Sequence, residues 1–261
     1  MAEVVHSREC WRGLVLAASV LMAFDPRPSA SPPGDQMAEA MNRLSEAERR
    51  DGWVLLFDGE TLEGWRGYKR PDASATRWRV DGGQLTVDPA AGQDTRGALD
   101  LITRATFEQF ELAFDWRVAP GANSGVKYFV LEDRDAAIGH EYQIIDDERH
   151  KDARIGPKRQ TASLYDVLAP RNRPMRAAGA FNHSRVIVRG SRVDHWLNGE
   201  RVLSYELGSP SLQAAIDQSK FKGIERFGKP QNGHILLQDH GDQVWYRNLR
   251  IRRIGSQSGR S

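Results

Sequence analysis

The sequence predicts an all-β protein, a sandwich of two antiparallel sheets preceded by a short helical segment. Three observations carry that expectation. Apolar and polar residues alternate with period two in about a dozen short segments, the pattern of half-buried strands. Twelve Pro and 24 Gly are scattered through the chain and punctuate those segments with turns. Almost nothing between the segments is long enough for a helix, and parallel pairing needs crossovers of about a dozen residues or more, so the strands must pair antiparallel.

The composition narrows the function classes. With 39% hydrophobic and 28% charged residues and a net charge of +2, the chain has the balance of an ordinary soluble protein. It lacks the excess of basic residues that marks a partner of nucleic acid.

The elements follow in order. Arg8 and Arg12 precede an apolar run at 13–24, GLVLAASVLMAF, and the small residues Ser29, Ala30 and Ser31 come next. This is the layout of an export leader, and residues 1–30 are assigned to one, with periplasmic or extracellular placement as the expectation. The alternative is an uncleaved membrane anchor, although the run is shorter than the roughly 20 residues that span a bilayer. The single cysteine, Cys10, lies before the run, so the mature chain would contain none. A Pro-rich linker and short helix fill 31–52. Met37, Met41 and Leu44 have near-helical spacing, and Ser45 with Glu48 forms a capping-box pair, so two helical pieces are expected between Gln36 and Arg50.

The sandwich is assigned to 53–254 and a disordered tail to 255–261. VLLFDGETLEGW (54–65) reads as a strand, a glycine turn and a tryptophan, and WRVDGGQLTVD (78–88) as a hairpin around Asp81, Gly82 and Gly83. In 107–118 Phe110, Leu112, Phe114, Trp116 and Val118 share one face, while Glu111, Ala113, Asp115 and Arg117 share the other. After the loop PGANSG, Val126, Tyr128 and Val130 oppose Lys127 and Phe129. The stretch 140–150, HEYQIIDDERH, sends Tyr142 and Ile144 one way and Glu141, Gln143 and Ile145 the other, so one face is core and the other chemistry or solvent. A long polar connection follows. Three strands are expected over 185–207, with a strong turn at Asn198-Gly199, then a short helix in SLQAAIDQSK and two closing strands around Asp239, His240, Gly241 and Asp242.

The blocks GWVLLFDGETLEGW, NSGVKYF, HEYQIIDDERH, SLYDVLAP, FNHSRVIVRGSRVDHWLNGERV, SKFKG and GHILLQDHGDQVWYRNLRIR occur in this order. Together they resemble the 3-keto-disaccharide hydrolase domain family over about residues 46–254. The resemblance implies a concanavalin A-like jelly-roll sandwich. It implies an activity on glycosides oxidised to a ketone at carbon 3, by elimination and hydration or by net hydrolysis, and a partner sugar 3-dehydrogenase that makes the substrate.

A ketone at carbon 3 acidifies the hydrogen on carbon 2. Cleavage then needs a base for that hydrogen, an electrophile at the ketone oxygen and a proton donor for the leaving oxygen. Glu141 is the candidate base, because it stands on the polar side of an otherwise apolar strand, where desolvation raises a carboxyl's proton affinity. Its alternative role is an ion pair with Arg117 or Lys127. Lys127 and His240 complete the catalytic candidates. Arg117, Asp115, Asn123, Gln143 and Gln238 are candidates for holding the sugar, with Asp115 expected to engage Arg117. His140, Asp146 and His150 are a candidate set for a divalent metal ion, though their spacing matches no strict motif. His195 alternates with Val193 and Leu197 and is expected in the core.

Two rival functions remain open. Glu141, Gln143 and Asp146 faintly echo the strand of laminarinase-like endoglycosidases, but positions five apart on a strand face opposite ways unless a bulge intervenes. A non-catalytic carbohydrate-binding module would instead stack sugars on Trp65, Trp78, Trp116, Trp196 or Trp245, most of which sit at core-like positions.

Overall fold

A computed structural model describes Met1 and residues 41–89 and 100–255. The expected leader and the tail from residue 256 lie outside the described residues, as do the linker at 31–35 and positions 36–40 of the first helical piece.

The chain enters the fold through Asn42, whose backbone N–H donates to Asn248 Oδ1 (2.7 Å) while its own Oδ1 accepts from the Asn248 N–H (2.8 Å). Helix α1, Glu46–Arg50, starts at the expected cap: the Ser45 hydroxyl accepts from the Glu48 amide, and the Glu48 carboxylate accepts from the Ser45 amide. Residues 41–45 are turn and irregular chain rather than helix.

Thirteen strands follow among the described residues: β1 (Trp53–Leu55), β2 (Trp65–Gly67), β3 (Trp78–Asp81), β4 (Gln84–Val87), β5 (Leu101–Phe107), β6 (Phe110–Val118), β7 (Asn123–Val130), β8 (His140–Ile145), β9 (Asn182–Arg189), β10 (Arg192–Leu197), β11 (Glu200–Glu206), β12 (Gly233–Leu237) and β13 (Val244–Arg253). One short helix, α2 (Pro210–Ile216), interrupts the later strands. All strand pairs are antiparallel. The larger sheet has the order β11-β10-β9-β6-β13-β4-β3, with β1 also on β13, and the smaller β2-β5-β12-β7-β8. This is the expected two-sheet sandwich of the jelly-roll class.

The alternation of β6 decides its packing. Phe110, Leu112, Phe114, Trp116 and Val118 all enter the core, where Phe114 meets Tyr142 of the opposite sheet edge to face at 5.7 Å. Polar atoms that the core cannot avoid are paired. Ser184 Oγ lies 2.8 Å from both Trp116 Nε1 and Tyr142 OH, which pins β8 against the larger sheet. Trp65, Trp78 and Trp116 are buried, whereas Trp196 and Trp245 are only half-buried, on the outer face of the larger sheet.

A longer polar chain crosses the core behind β8. The Gly228 N–H donates to His140 Nε2 (3.1 Å), so His140 carries its proton on Nδ1 and donates to Tyr205 OH (2.8 Å). Tyr205 donates to Tyr128 OH (2.6 Å), Tyr128 to His195 Nε2 (2.8 Å), and His195 Nδ1 to the Ala162 carbonyl (2.9 Å). Every member is satisfied in one direction only. The chain ties residues 162 and 228, from two separate loops, to the centre of the sandwich.

Two face assignments differ from expectation. Val130, paired with His234, joins Tyr68, Ile102 and Leu236 on the side of Lys127. Phe129 leaves the side of Lys127 and packs in the core beside Phe110 and His140, because its φ of +61° and the shifted register between β12 and β7 form a bulge. Gly233 makes room for it: a Cβ there would come within 2.6 Å of the Phe129 backbone.

Candidate active site

Pinning Tyr142 and Ile144 inward turns Glu141 to the outer face of the smaller sheet. Lys127 is its cross-strand neighbour on β7, and Gly125 pairs with Gln143 two positions along the same strands. On the other side of β7, β12 leads directly into Gln238, whose backbone N–H donates to the Gly125 carbonyl (2.9 Å). Gly125 is required here, because a Cβ would stand 2.8 Å from the Gln238 amide and 2.9 Å from Glu141 Oε1.

The three side chains close a small circuit. Lys127 Nζ is 4.0 Å from Glu141 Oε2 and donates to the Ala137 carbonyl (3.1 Å). With the Gln238 amide nitrogen turned to Glu141 Oε1 (3.2 Å) and His240 Nε2 (3.1 Å), its oxygen accepts from Lys127 Nζ (3.2 Å). Residues 238–242 are held by Arg77, which donates from Nε and Nη2 to the fully buried carboxylate of Asp239 (3.0 and 2.7 Å). His240 thus stands at the rim.

Loops border this face and make a half-open cavity of it. Asp100, Lys127, Asp135, Glu141 and Lys220 form the polar part of a cavity of about 450 Å³, and Ala136, Ala137, Ile138, Phe221 and Ile224 form an apolar flank. The Glu141 side chain is 5% exposed. Burial pushes its carboxyl above the ordinary range against the pull of the Lys127 and Lys220 ammonium groups, and the Asp100 and Asp152 carboxylates add to the rise. Burial likewise raises Asp100, whose Oδ1 accepts from the Asp239 N–H (2.9 Å), while Lys127 opposes the rise. Burial of the His240 ring lowers its proton affinity, and the Asp100 carboxylate pulls the other way.

Behind Lys220, the Tyr165 hydroxyl donates to Asp152 Oδ2 (2.7 Å), and Arg159 donates to Asp152 Oδ1 (2.7 Å). The Tyr165 backbone N–H donates to the Glu141 carbonyl (3.1 Å), so the loop carrying the ring is stitched to the strand carrying the acid.

Of the residues singled out in the sequence, Glu141, Lys127, Gln238 and His240 come together. Asn123 and Gln143 share the sheet face of Glu141 without lining the cavity. Gln143 is buried, its Oε1 accepting from the Ile144 N–H (3.0 Å), and the Asn123 backbone N–H donates to Asp242 (2.9 Å).

Arg117 and Asp115 are placed differently from expectation. They lie on β6, in the middle of the other sheet, facing away from Glu141 on the far side of the molecule. Arg117 stacks on Trp245 at 4.0 Å, and Asp115 accepts from His183 (2.7 Å) and Asn248 (2.8 Å) rather than pairing with Arg117. The candidate metal set also disperses. His140 points into the core with both ring nitrogens engaged, Asp146 accepts from the Gly121, Glu148 and Arg149 amides, and His150 accepts from the Asp152 amide. Among the described residues no group of three or more His, Cys, Asp or Glu is arranged to hold a metal ion. The engaged Asp146 carboxylate also removes the partner that a laminarinase-like acid pair with Glu141 would need.

Asp100 and Lys220 are site residues that sequence reasoning missed. Asp100 precedes β5, whose LITRATF pattern does not alternate cleanly. Lys220 sits in the irregular stretch after α2, within the SKFKG block.

The family model described as the 3-keto-alpha-glucoside-1,2-lyase-like domain matches residues 52–252. A 3-keto-disaccharide hydrolase of Bacteroides thetaiotaomicron is 34% identical over 242 residues, covering 82% of this chain and 83% of the relative. Among solved structures, a protein described as a glycosyl hydrolase from Parabacteroides distasonis superposes with a TM-score of 0.75 at 28% identity, covering 82% of this chain and 100% of that one. A second from the same organism gives 0.57 at 26% identity, covering 77% and 99%. The chain therefore belongs to the 3-keto-α-glucoside-1,2-lyase-like domain family.

Proposed function

We propose that this protein is a carbohydrate-active enzyme that cleaves the glycosidic bond of 3-keto-glycosides, with Glu141 taking the proton from carbon 2. Family membership and the Bacteroides relative support a carbohydrate-active hydrolase, and the site supports the finer reading. The single observation that carries it is a buried carboxylate, raised in proton affinity by desolvation, beside an ammonium group at 4.0 Å in a cavity of about 450 Å³. A carbon acid next to a ketone needs this pair.

The steps balance. The Glu141 carboxylate removes the carbon 2 proton, and the electron pair left behind moves onto the carbon 3 oxygen as an enolate. The Lys127 ammonium, fixed by Ala137 and Gln238, faces that oxygen and stabilises its charge. The enolate then collapses: the ketone reforms, a double bond forms between carbons 1 and 2, and the carbon 1–oxygen bond breaks. The leaving oxygen takes a proton. Addition of water, hydroxide at carbon 1 and a proton at carbon 2, gives net hydrolysis. Gln238 orients Glu141 and Lys127, and His240 holds the outer end of Gln238.

Such a substrate must first be oxidised at its carbon 3 hydroxyl, so a sugar 3-dehydrogenase would supply it. The N-terminal pattern supports meeting it in the periplasm or outside the cell.

The test is an assay on a methyl 3-keto-glucoside and its unoxidised parent, with wild type and E141Q. Wild type should cleave only the keto sugar, and E141Q should lose about a hundred-fold or more in kcat while still binding it. Cleavage of the parent sugar, or full activity in E141Q, would refute the reading. Binding without cleavage by wild type would leave a sugar-binding module.

A further inference from the structure

The two ammonium groups in the cavity are held in different ways. Lys127 is anchored by the Ala137 carbonyl, the Gln238 amide and the Glu141 carboxylate. Lys220 has no such anchors: among the described residues its Nζ makes no hydrogen bond or ion pair. It lies over the Tyr165 ring at 4.1 Å from the centroid and 5.0 Å from that of Phe221, and it lines the same cavity as Glu141. An aromatic face attracts a cation without taking a proton from it. The Tyr165 ring is in turn fixed by its bond to Asp152 and its backbone bond to the Glu141 carbonyl. The cavity therefore contains one positioned cation whose protons are not engaged by the protein.

Resting on the function proposed above, we propose that Lys220 is the proton donor to the leaving glycosidic oxygen, and that Glu141 and Lys220 together run both elimination and hydration. In elimination the Glu141 carboxylate takes the carbon 2 proton and Lys220 gives one of its three to the departing oxygen, leaving a protonated acid and a neutral amine. In hydration the neutral amine takes a proton from water as the hydroxide adds to carbon 1, and the Glu141 acid, whose proton exchanges with water while carbon 2 is deprotonated, gives one to carbon 2. Both groups end as they began, so no further reactant is needed. Lys127 keeps its proton throughout and serves the ketone oxygen.

Two further features agree. Burial lowers the proton affinity of Lys220 from the usual lysine range, against the pull of Glu141, which makes it a better acid. His240, the other candidate donor, stands at the rim with its Nε2 directed to Gln238.

The experiment compares two 3-keto-glucosides, one with a methanol leaving group and one with 4-nitrophenol, in wild type, K220A, K220R and D100N. A nitrophenolate departs without help, whereas an alkoxide needs a proton. K220A should lose about a hundred-fold or more in kcat/KM on the methyl substrate and less than about five-fold on the nitrophenyl one, with methylamine restoring part of the methyl activity. K220R keeps a cation over Tyr165, so it should fold as wild type does and still show the same leaving-group dependence, since guanidinium is a poor acid. Equal losses on both substrates would overturn the proposal by reducing Lys220 to a positioning residue. Leaving-group dependence in D100N and not in the Lys220 variants would overturn it in favour of Asp100. If wild type cleaves neither substrate, the functional reading itself fails.

Discussion

A single methyl group at Gly125 separates the site from the fold. The added Cβ of G125A would lie 2.9 Å from Glu141 Oε1, 3.1 Å from Glu141 Cγ and 2.8 Å from the Gln238 amide, whereas ordinary contact begins near 3.4 Å. Relief requires the carboxylate to move by about half an ångström, and a displacement of that order at a reacting atom costs roughly ten- to hundred-fold in rate. Stability should respond far less. Gly125 is an ordinary strand residue without a positive φ, so alanine gains about 0.4–1 kcal/mol by restricting the unfolded chain, against about 1–3 kcal/mol for overpacking. The atoms met first are side-chain ends that can give. The expected result is a melting temperature within about 5 °C of wild type and a kcat on a 3-keto-glucoside reduced ten-fold or more. Activity within about three-fold of wild type, in a variant that folds, would mean that the Glu141 carboxylate does not work at the reacting carbon.

Other outcomes follow from the same geometry. Burial lowers His140 to about 3 and His195 to about 4, so both stay neutral in the fold while the unfolded chain binds their protons below about 6.5. Their stability contribution is complete above that pH and is lost as pH falls toward 4. Unfolding free energy from urea titrations should drop by up to about 1.4 kcal/mol per pH unit for each histidine, and a flat profile between pH 7 and 5 would contradict the buried chain. R117A should leave turnover unchanged, because Arg117 faces away from the cavity on the other sheet, and should cost the stacking on Trp245 and Phe181 and the hydrogen bond to Gln84 Oε1, about 1–3 kcal/mol in a thermal melt. A large loss of activity in R117A would place the site on the wrong sheet. R77M strands the buried Asp239 carboxylate and should destabilise the protein by about 3–5 kcal/mol, measured in urea.

Much of the sandwich was legible because alternation and turn chemistry are local. The five inward residues of β6, the Asn198-Gly199 turn and the outward placement of Glu141 needed nothing beyond neighbouring residues. Alternation tells which face of a strand a residue occupies, but not which sheet the strand joins. Arg117 and Asp115 were grouped with Glu141 for that reason, and the pairing of β6 with β9 and β13 separates them. The metal set failed on the opposite ground. It joined His140 to Asp146 and His150 by closeness in sequence, although alternation puts His140 on the inner side with Tyr142. Phe129 changed sides at a bulge, which leaves no clear mark in the sequence. Asp100 and Lys220 reach the cavity only because the residue before β5 and the loop after α2 fold over one sheet face, and such a meeting of distant segments has no local signal.

The central claim is that Glu141 removes the proton from carbon 2, and deuterium at that carbon reports it directly. A methyl 3-keto-glucoside labelled with deuterium at carbon 2, incubated in ordinary water with wild type, Lys220 variants and E141Q, can be followed by NMR. Wild type should wash out the label during cleavage. K220A should still exchange it while cleaving slowly, and E141Q should retain it. Cleavage by wild type with the label retained at carbon 2, or washout by E141Q at the wild-type rate, would contradict the account.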